Sequence, residues 1–152
     1  MTTKHPIQKQ ASPKPLDGQA HRGAARWWAG VFLLIAAAAH VPVIAPHLSE
    51  APYIGALFIL LTAACLILAP ALVAYDTRIL WGSAGAVTLL AVVAYVFART
   101  VGLPQISDDI GDWSDPFGTV SIVSESLTFL TAGAVLVSRN GSRAPAVNPV
   151  SQ

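Results

Sequence analysis

The sequence predicts an all-α integral membrane protein: a four-helix bundle with its N and C termini on the cytoplasmic side. Three observations lead there. First, of 152 residues, 54% are hydrophobic and 11% charged, where an ordinary soluble domain carries about 25% charged residues. So few charges cannot cover the surface of a soluble fold this size, and mean hydropathy is +0.59. Second, four apolar runs cover about 27–45, 53–75, 79–98 and 118–137, each long enough to cross a hydrocarbon core of ~30 Å. Third, the basic residues are sorted by side. Lys4, Lys9, Lys14, Arg22, Arg26, Arg78, Arg139 and Arg143 fall on one side of these runs, and Arg99 alone falls on the other. The positive-inside rule then makes the first side cytoplasmic.

Residues 1–25 read as a disordered basic tail. Ile7 and Leu16 are their only large aliphatics after Met1, so the segment lacks the apolar surface that ordering requires. It can serve as a topology signal, or as an electrostatic anchor to anionic lipid worth about 1 kcal/mol per basic residue. The membrane domain spans 26–138. Arg26-Trp27-Trp28 opens span one with the cation and aromatic pair that suit an inner interface. His40, Pro42 and Pro46 lie in its final third, and Pro42 predicts a kink or loosening there. A signal peptide with an apolar region over 30–39 is the rival reading of this stretch.

Span two has Tyr53 and Tyr75 at its ends as interfacial anchors. The loop before it, 46–52, is short, so spans one and two form an antiparallel hairpin. Asp76-Thr77-Arg78 is a tight connection to span three, where Gly82-x-x-x-Ala86 would let another helix approach closely. The long outer loop, 99–117, holds Asp108, Asp109, Asp112, Asp115 and Trp113. Ser114 or Asp115, followed by Pro116, suits the start of span four. Residues 139–152 read as a second disordered tail. Cys65 is the single cysteine, which rules out an intrachain disulfide, and it reads as a small buried hydrophobe.

The candidate site is built from His40, His47, Glu50 and Glu125. Ionisable residues inside a span are rare and usually face the bundle interior with a partner. At ~1.5 Å per residue, His40 lies about 7–8 Å inside the outer end of span one and Glu125 about 10 Å inside that of span four. They meet if spans one and four touch. Ser121 and Ser124 add hydroxyls on nearby turns, and Asp108, Asp109 and Asp112 are secondary candidates from the loop. Three readings follow: a pair that fixes helix packing, a divalent Cu or Zn site, or a polar pocket for a small ligand, quinone or proton path. A bis-histidine haem is disfavoured because both central histidines sit on span one. The loop aspartates lack the alternating spacing of an EF-hand. No P-loop, nucleophile elbow, zincin or dinucleotide motif is present, and no basic, aromatic-interleaved surface suits nucleic acid.

His40…Pro46-His47-Leu48-Ser49-Glu50 at the end of span one, Leu57-Phe58 in span two, and Arg99-Thr100-Val101-Gly102-Leu103-Pro104 after span three resemble a group of uncharacterised four-span integral membrane proteins common in actinobacteria. The resemblance covers residues 30–137. It implies the same four-span architecture in a bacterial cytoplasmic membrane, and no activity. The expected function is therefore that of a non-enzymatic, multi-pass accessory or ligand-binding component. The alternative is a metal-binding or redox-linked protein with an extracytoplasmic partner at the acidic loop. A small transporter, working as a homo-oligomer, comes third.

Overall fold

The structure, a computed structural model, describes residues 17–141. Its helices are α1 (Asp17–Glu50), α2 (Pro52–Ala74), α3 (Arg78–Thr100) and α4 (Pro116–Gly141), and a three-residue 3-10 turn, Ser107–Asp109, lies between the last two. All four are long and apolar enough to span a membrane. In hydrocarbon every backbone N–H and C=O must find a partner within the segment, which only a helix or a closed barrel provides.

α1, α3 and α4 outrun the apolar stretches that predict them, while α2 matches its own to within one residue at each end. α1 starts at Asp17, inside the expected tail, and α4 runs to Gly141; the rest of both tails lies outside the described residues. α1 also runs without a break through Pro42 and Pro46. The loop expected over 46–52 is reduced to Ala51, and Pro52 starts the next helix. Two side chains help hold this last turn: His47 Nδ1 donates to the Val43 carbonyl at 2.7 Å and Ser49 Oγ to the Pro46 carbonyl at 2.7 Å.

The helices alternate in direction. α1 packs against both α2 and α4, α3 packs against α4, and α2 and α3 touch least. The termini of the described chain therefore share one end, the tail end, and residues 101–115 cover the other, the loop end. The tail-end half is tightly packed: Leu33, Cys65, Leu72, Trp81 and Ala132 are fully buried in one cluster. Gly85 faces the Ala132 methyl, and a Cβ there would sit 3.3 Å from it. The close α3–α4 approach is thus at Gly85. Gly82 has open space in front of it and Ala86 is exposed, so that pair faces outward.

Trp27, Trp28 and Tyr75 are exposed near the tail end, and Tyr53, Trp113 and Phe117 near the loop end. Two aromatic girdles at helix ends are what the two interfaces of a bilayer favour.

Candidate functional site

His40 on α1 and Glu125 on α4 face each other in the bundle interior, with Nε2 3.5 Å from Oε1, and both are almost fully buried. The longer helices sink the pair further than the apolar runs suggest. His40 lies ten residues before Glu50 and Glu125 nine after Pro116, so both are about 13–15 Å from the loop end. The separation exceeds the ~2.7–2.9 Å of a good charge-assisted hydrogen bond, and Glu125 Oε1 has no hydrogen bond although it is buried. A buried acceptor left unpaired is costly and calls for an explanation.

Both groups lie on the wall of a cavity of about 150 Å³. Each helix contributes residues three or four apart. α1 gives His40, Val43 and His47; α2 gives Ile54, Phe58 and Leu61; α3 gives Ala91, Ala94 and Ala98; α4 gives Gly118, Ser121 and Glu125. Such spacing is one face of a helix. The space exists because α3 and α4 present alanine, glycine and serine where the tail-end half presents tryptophan and leucine. Phe58 divides the two histidines. Its ring lies 5.3 Å from that of His40 and 5.0 Å from that of His47. The unbroken α1 thus puts both imidazoles on one face, two turns apart. With His47 Nδ1 committed to the Val43 carbonyl, its Nε2 is the nitrogen left for other contacts.

The hydroxyls are mostly committed to their own helix. Ser121 Oγ donates to the Gly118 carbonyl at 3.2 Å, and Ser124 Oγ to the Val120 carbonyl at 2.8 Å. Ser121 lines the cavity; Ser124 is buried outside its lining. Glu50 is exposed and also outside the lining. Among the described residues, no three His, Cys, Asp or Glu side chains gather as metal ligands. The set His40, His47, Glu50 and Glu125 therefore divides: three border one cavity, and Glu50 faces away because the extra helical turn carries it past the rim.

The roof of the cavity is organised by Arg99, a residue that sequence reasoning used for topology and for the resemblance but not as part of the site. It is 8% exposed, and its guanidinium lies 3.2 Å from Asp109, 3.7 Å from Asp112 and 3.6 Å from Asp115. It also sits 5.2 Å above the Tyr95 ring, on whose edge Trp113 packs. The acidic loop is thus folded around one cation rather than spread in solvent. Asp108 belongs to the 3-10 turn beside Asp109. Ile106 tucks under the loop against Ala51 and Ile54, and Tyr53 Oη donates to the Pro104 carbonyl at 2.7 Å. Gly102 is required here: its φ is +86°, and a Cβ would lie 2.8 Å from Ile110 Cδ1. Asp115, rather than Ser114, caps α4, accepting from the Gly118 amide at 2.8 Å. It thereby joins the Arg99 cluster to the helix that carries Glu125. The signal for Arg99 was present in the sequence: aspartates at 109, 112 and 115 follow a lone basic residue at the end of a span.

The arrangement suits a neutral, mainly apolar guest with one polar group. The walls are largely hydrocarbon, Arg99 already faces three carboxylates, and His40 and Glu125 offer convergent polar atoms. Compared with protein-family models, with curated proteins and with solved structures, the chain matches none.

Proposed function

We propose that this chain is a non-enzymatic, multi-pass membrane protein that binds a small organic molecule in the loop-end cavity, as an accessory or carrier component of a bacterial cytoplasmic membrane. The observation that carries the reading is the buried Glu125 Oε1, which has no hydrogen bond, bordering a cavity of about 150 Å³ within a helix of membrane-spanning length. A pair kept only for packing would be expected to close onto itself. Ligand sites are typically apolar concavities with a few convergent polar groups, and this one has that composition. The distribution of basic residues supports placing the loop end on the outer face. A transport role would require a path through the tail-end half, where Leu33, Leu72 and Trp81 leave no exposed surface.

Native mass spectrometry of protein released from membranes tests the reading. The wild type is expected to carry an organic adduct at near one-to-one stoichiometry, and Ser121→Leu, which fills the cavity, is expected to lack it. An adduct retained in full by Ser121→Leu would move the ligand elsewhere. A wild type with no adduct that also takes up no small aromatic, such as toluene, would remove the proposal. Elemental analysis of the same sample addresses the metal alternative: near-stoichiometric Cu or Zn, lost in His40→Ala, would replace it.

A further inference from the structure

We infer that the guest is a lipid-soluble molecule with a single hydroxyl-bearing six-membered ring, of the phenol class, whose tail leaves through a gap between α2 and α3. The inference rests on the reading of the cavity as a ligand site and narrows it in three steps.

The volume sets the size of the head. A cavity of about 150 Å³ is known to hold one benzene ring, so about 150 Å³ here has room for a single ring. Phe58, Tyr95 and Phe117 on the wall offer ring faces and edges to it.

The buried pair sets the polar group. Glu125 Oε1 needs a donor, and His40 Nε2, 3.5 Å away, can donate when it carries the proton. A hydroxyl satisfies both: its O–H donates to the carboxylate while its oxygen accepts from the imidazole. A ketone offers no donor and an ammonium no acceptor. An anionic head finds no free counter-charge, because Arg99 already faces Asp109, Asp112 and Asp115.

The helix arrangement sets the route. Residues 101–115 close the loop end, and α1 and α4 pack against each other with His40 facing Glu125. α2 and α3 touch least among neighbouring helices. On their facing edges the cavity wall reaches the outside of the bundle: Leu57 is 59% exposed, Ala94 is exposed, and Leu61 and Ala91 are half-buried. These positions lie five to nine residues from the loop-end termini of their helices, about 8–14 Å into the hydrocarbon layer. An opening at that depth meets lipid tails, so an alkyl or prenyl chain passes through it without entering water.

The test is photocrosslinking in nanodiscs of phosphatidylethanolamine and phosphatidylglycerol. The probe is a 4-alkylphenol with a diazirine on its chain, and labelled residues are mapped by mass spectrometry. The expected labels fall on Leu57, Leu61, Ala91 or Ala94. They should be competed by 4-nonylphenol at least about tenfold better than by nonylbenzene, the loss of one buried hydrogen-bonded group. Glu125→Leu should erase that preference for the hydroxyl. Leu57→Trp, on the lipid-facing surface where folding is not at stake, should reduce the labelling while leaving the bundle intact by circular dichroism. Equal competition by nonylbenzene would overturn the hydroxyl assignment and leave an acyl chain as the guest. Competable labelling confined to Phe58 and Ser121, with none on the α2–α3 edges, would overturn the route but keep the site. Labelling that neither compound competes would overturn both this inference and the binding function beneath it.

Discussion

The two ends of the bundle use the same device over opposite interiors. At the tail end, Arg139 on α4 pairs with Asp76 in the α2–α3 connection, and Asp76 also accepts from Trp81 Nε1 at 2.8 Å. At the loop end, Arg99 on α3 gathers Asp109, Asp112 and Asp115 from the α3–α4 connection. Each arginine ties a connection to a helix terminus. Beneath Arg139 lies the packed cluster of Leu33, Leu72, Trp81 and Ala132, fully buried; beneath Arg99 lies a cavity with His40 and Glu125 on its wall. Both ends carry an arginine–carboxylate contact, and among the described residues the cavity bordered by His40 and Glu125 lies at the loop end. In lipid, helix association rests on close packing and interhelical hydrogen bonds rather than on the hydrophobic effect, so leaving a void requires a compensating tie. The Arg99 cluster supplies it.

The largest test of this contrast is Trp81→Ala. Trp81 is the largest fully buried side chain, and truncating a buried tryptophan costs about 3–5 kcal/mol. Unfolding in mixed micelles by SDS titration should show a loss of that order. A loss below about 1 kcal/mol would mean that the tail-end half is not the tightly packed support described here.

Arg99→Met comes next. Removing one partner of a buried ion pair costs about 3–5 kcal/mol, less where the carboxylates are partly solvated, so about 2–3 kcal/mol is expected. The damage should be local. Hydrogen exchange over 102–115, including the Gly111 amide that donates to the Arg99 carbonyl at 2.9 Å, should speed up while α1 and the tail end keep their protection. Uniform loss of protection would show that the Arg99 cluster holds the whole bundle rather than the roof.

A matched pair of enlargements compares the interiors directly. Ala132→Leu adds bulk against Gly85, where the Ala132 Cβ already lies 3.3 Å from the position of an added methyl, and overpacking of this kind costs about 1–3 kcal/mol. Ser121→Leu adds similar bulk toward the cavity, and its stability should stay within about 1 kcal/mol of wild type. Equal losses in the two SDS titrations would indicate that the loop-end space is not available to a side chain, and hence not to a guest.

How much of this was legible in the sequence depends on the kind of information involved. The four helices were, because each is an apolar run of membrane length. Their ends were not: residues such as Asp17–Arg22 and Ser138–Gly141 continue a helix where hydropathy has already fallen. The meeting of His40 and Glu125 was legible as equal depth, since helical rise is fixed whatever the packing. The cavity was hidden because it depends on helix rotation. Ala91, Ala94 and Ala98 form one stripe on α3, yet alanines are common in this chain and only the fold shows that this stripe faces Gly118 and Ser121. Arg99 was hidden for the opposite reason. Its charge was conspicuous, and a topology count fully accounted for it, so its partners three and six residues apart in the loop went unread. One boundary was misread: a loop was expected from Pro46, yet α1 continues to Glu50, and His47 and Ser49 donate side-chain hydrogen bonds within that last turn.

The smallest expected effect carries the sharpest distinction. Glu125→Gln keeps the shape of the side chain and an acceptor oxygen while removing the ability to carry charge. If the pair exists to hold α1 against α4, it should have a close hydrogen bond, and its loss should register at the ~0.6 kcal/mol average, up to ~1.7 kcal/mol, found for polar interhelical contacts in membranes. The 3.5 Å separation and the unpaired Oε1 argue that little of that is present. SDS unfolding of Glu125→Gln should therefore lie within about 0.5 kcal/mol of wild type, whereas retention of the organic adduct should fall severalfold, because a glutamine amide is a weaker acceptor for a hydroxyl than a carboxylate. A stability loss above about 1.5 kcal/mol with the adduct retained would reverse the assignment. His40 and Glu125 would then be the bolt between two helices, and the neighbouring space a by-product of the small residues around it.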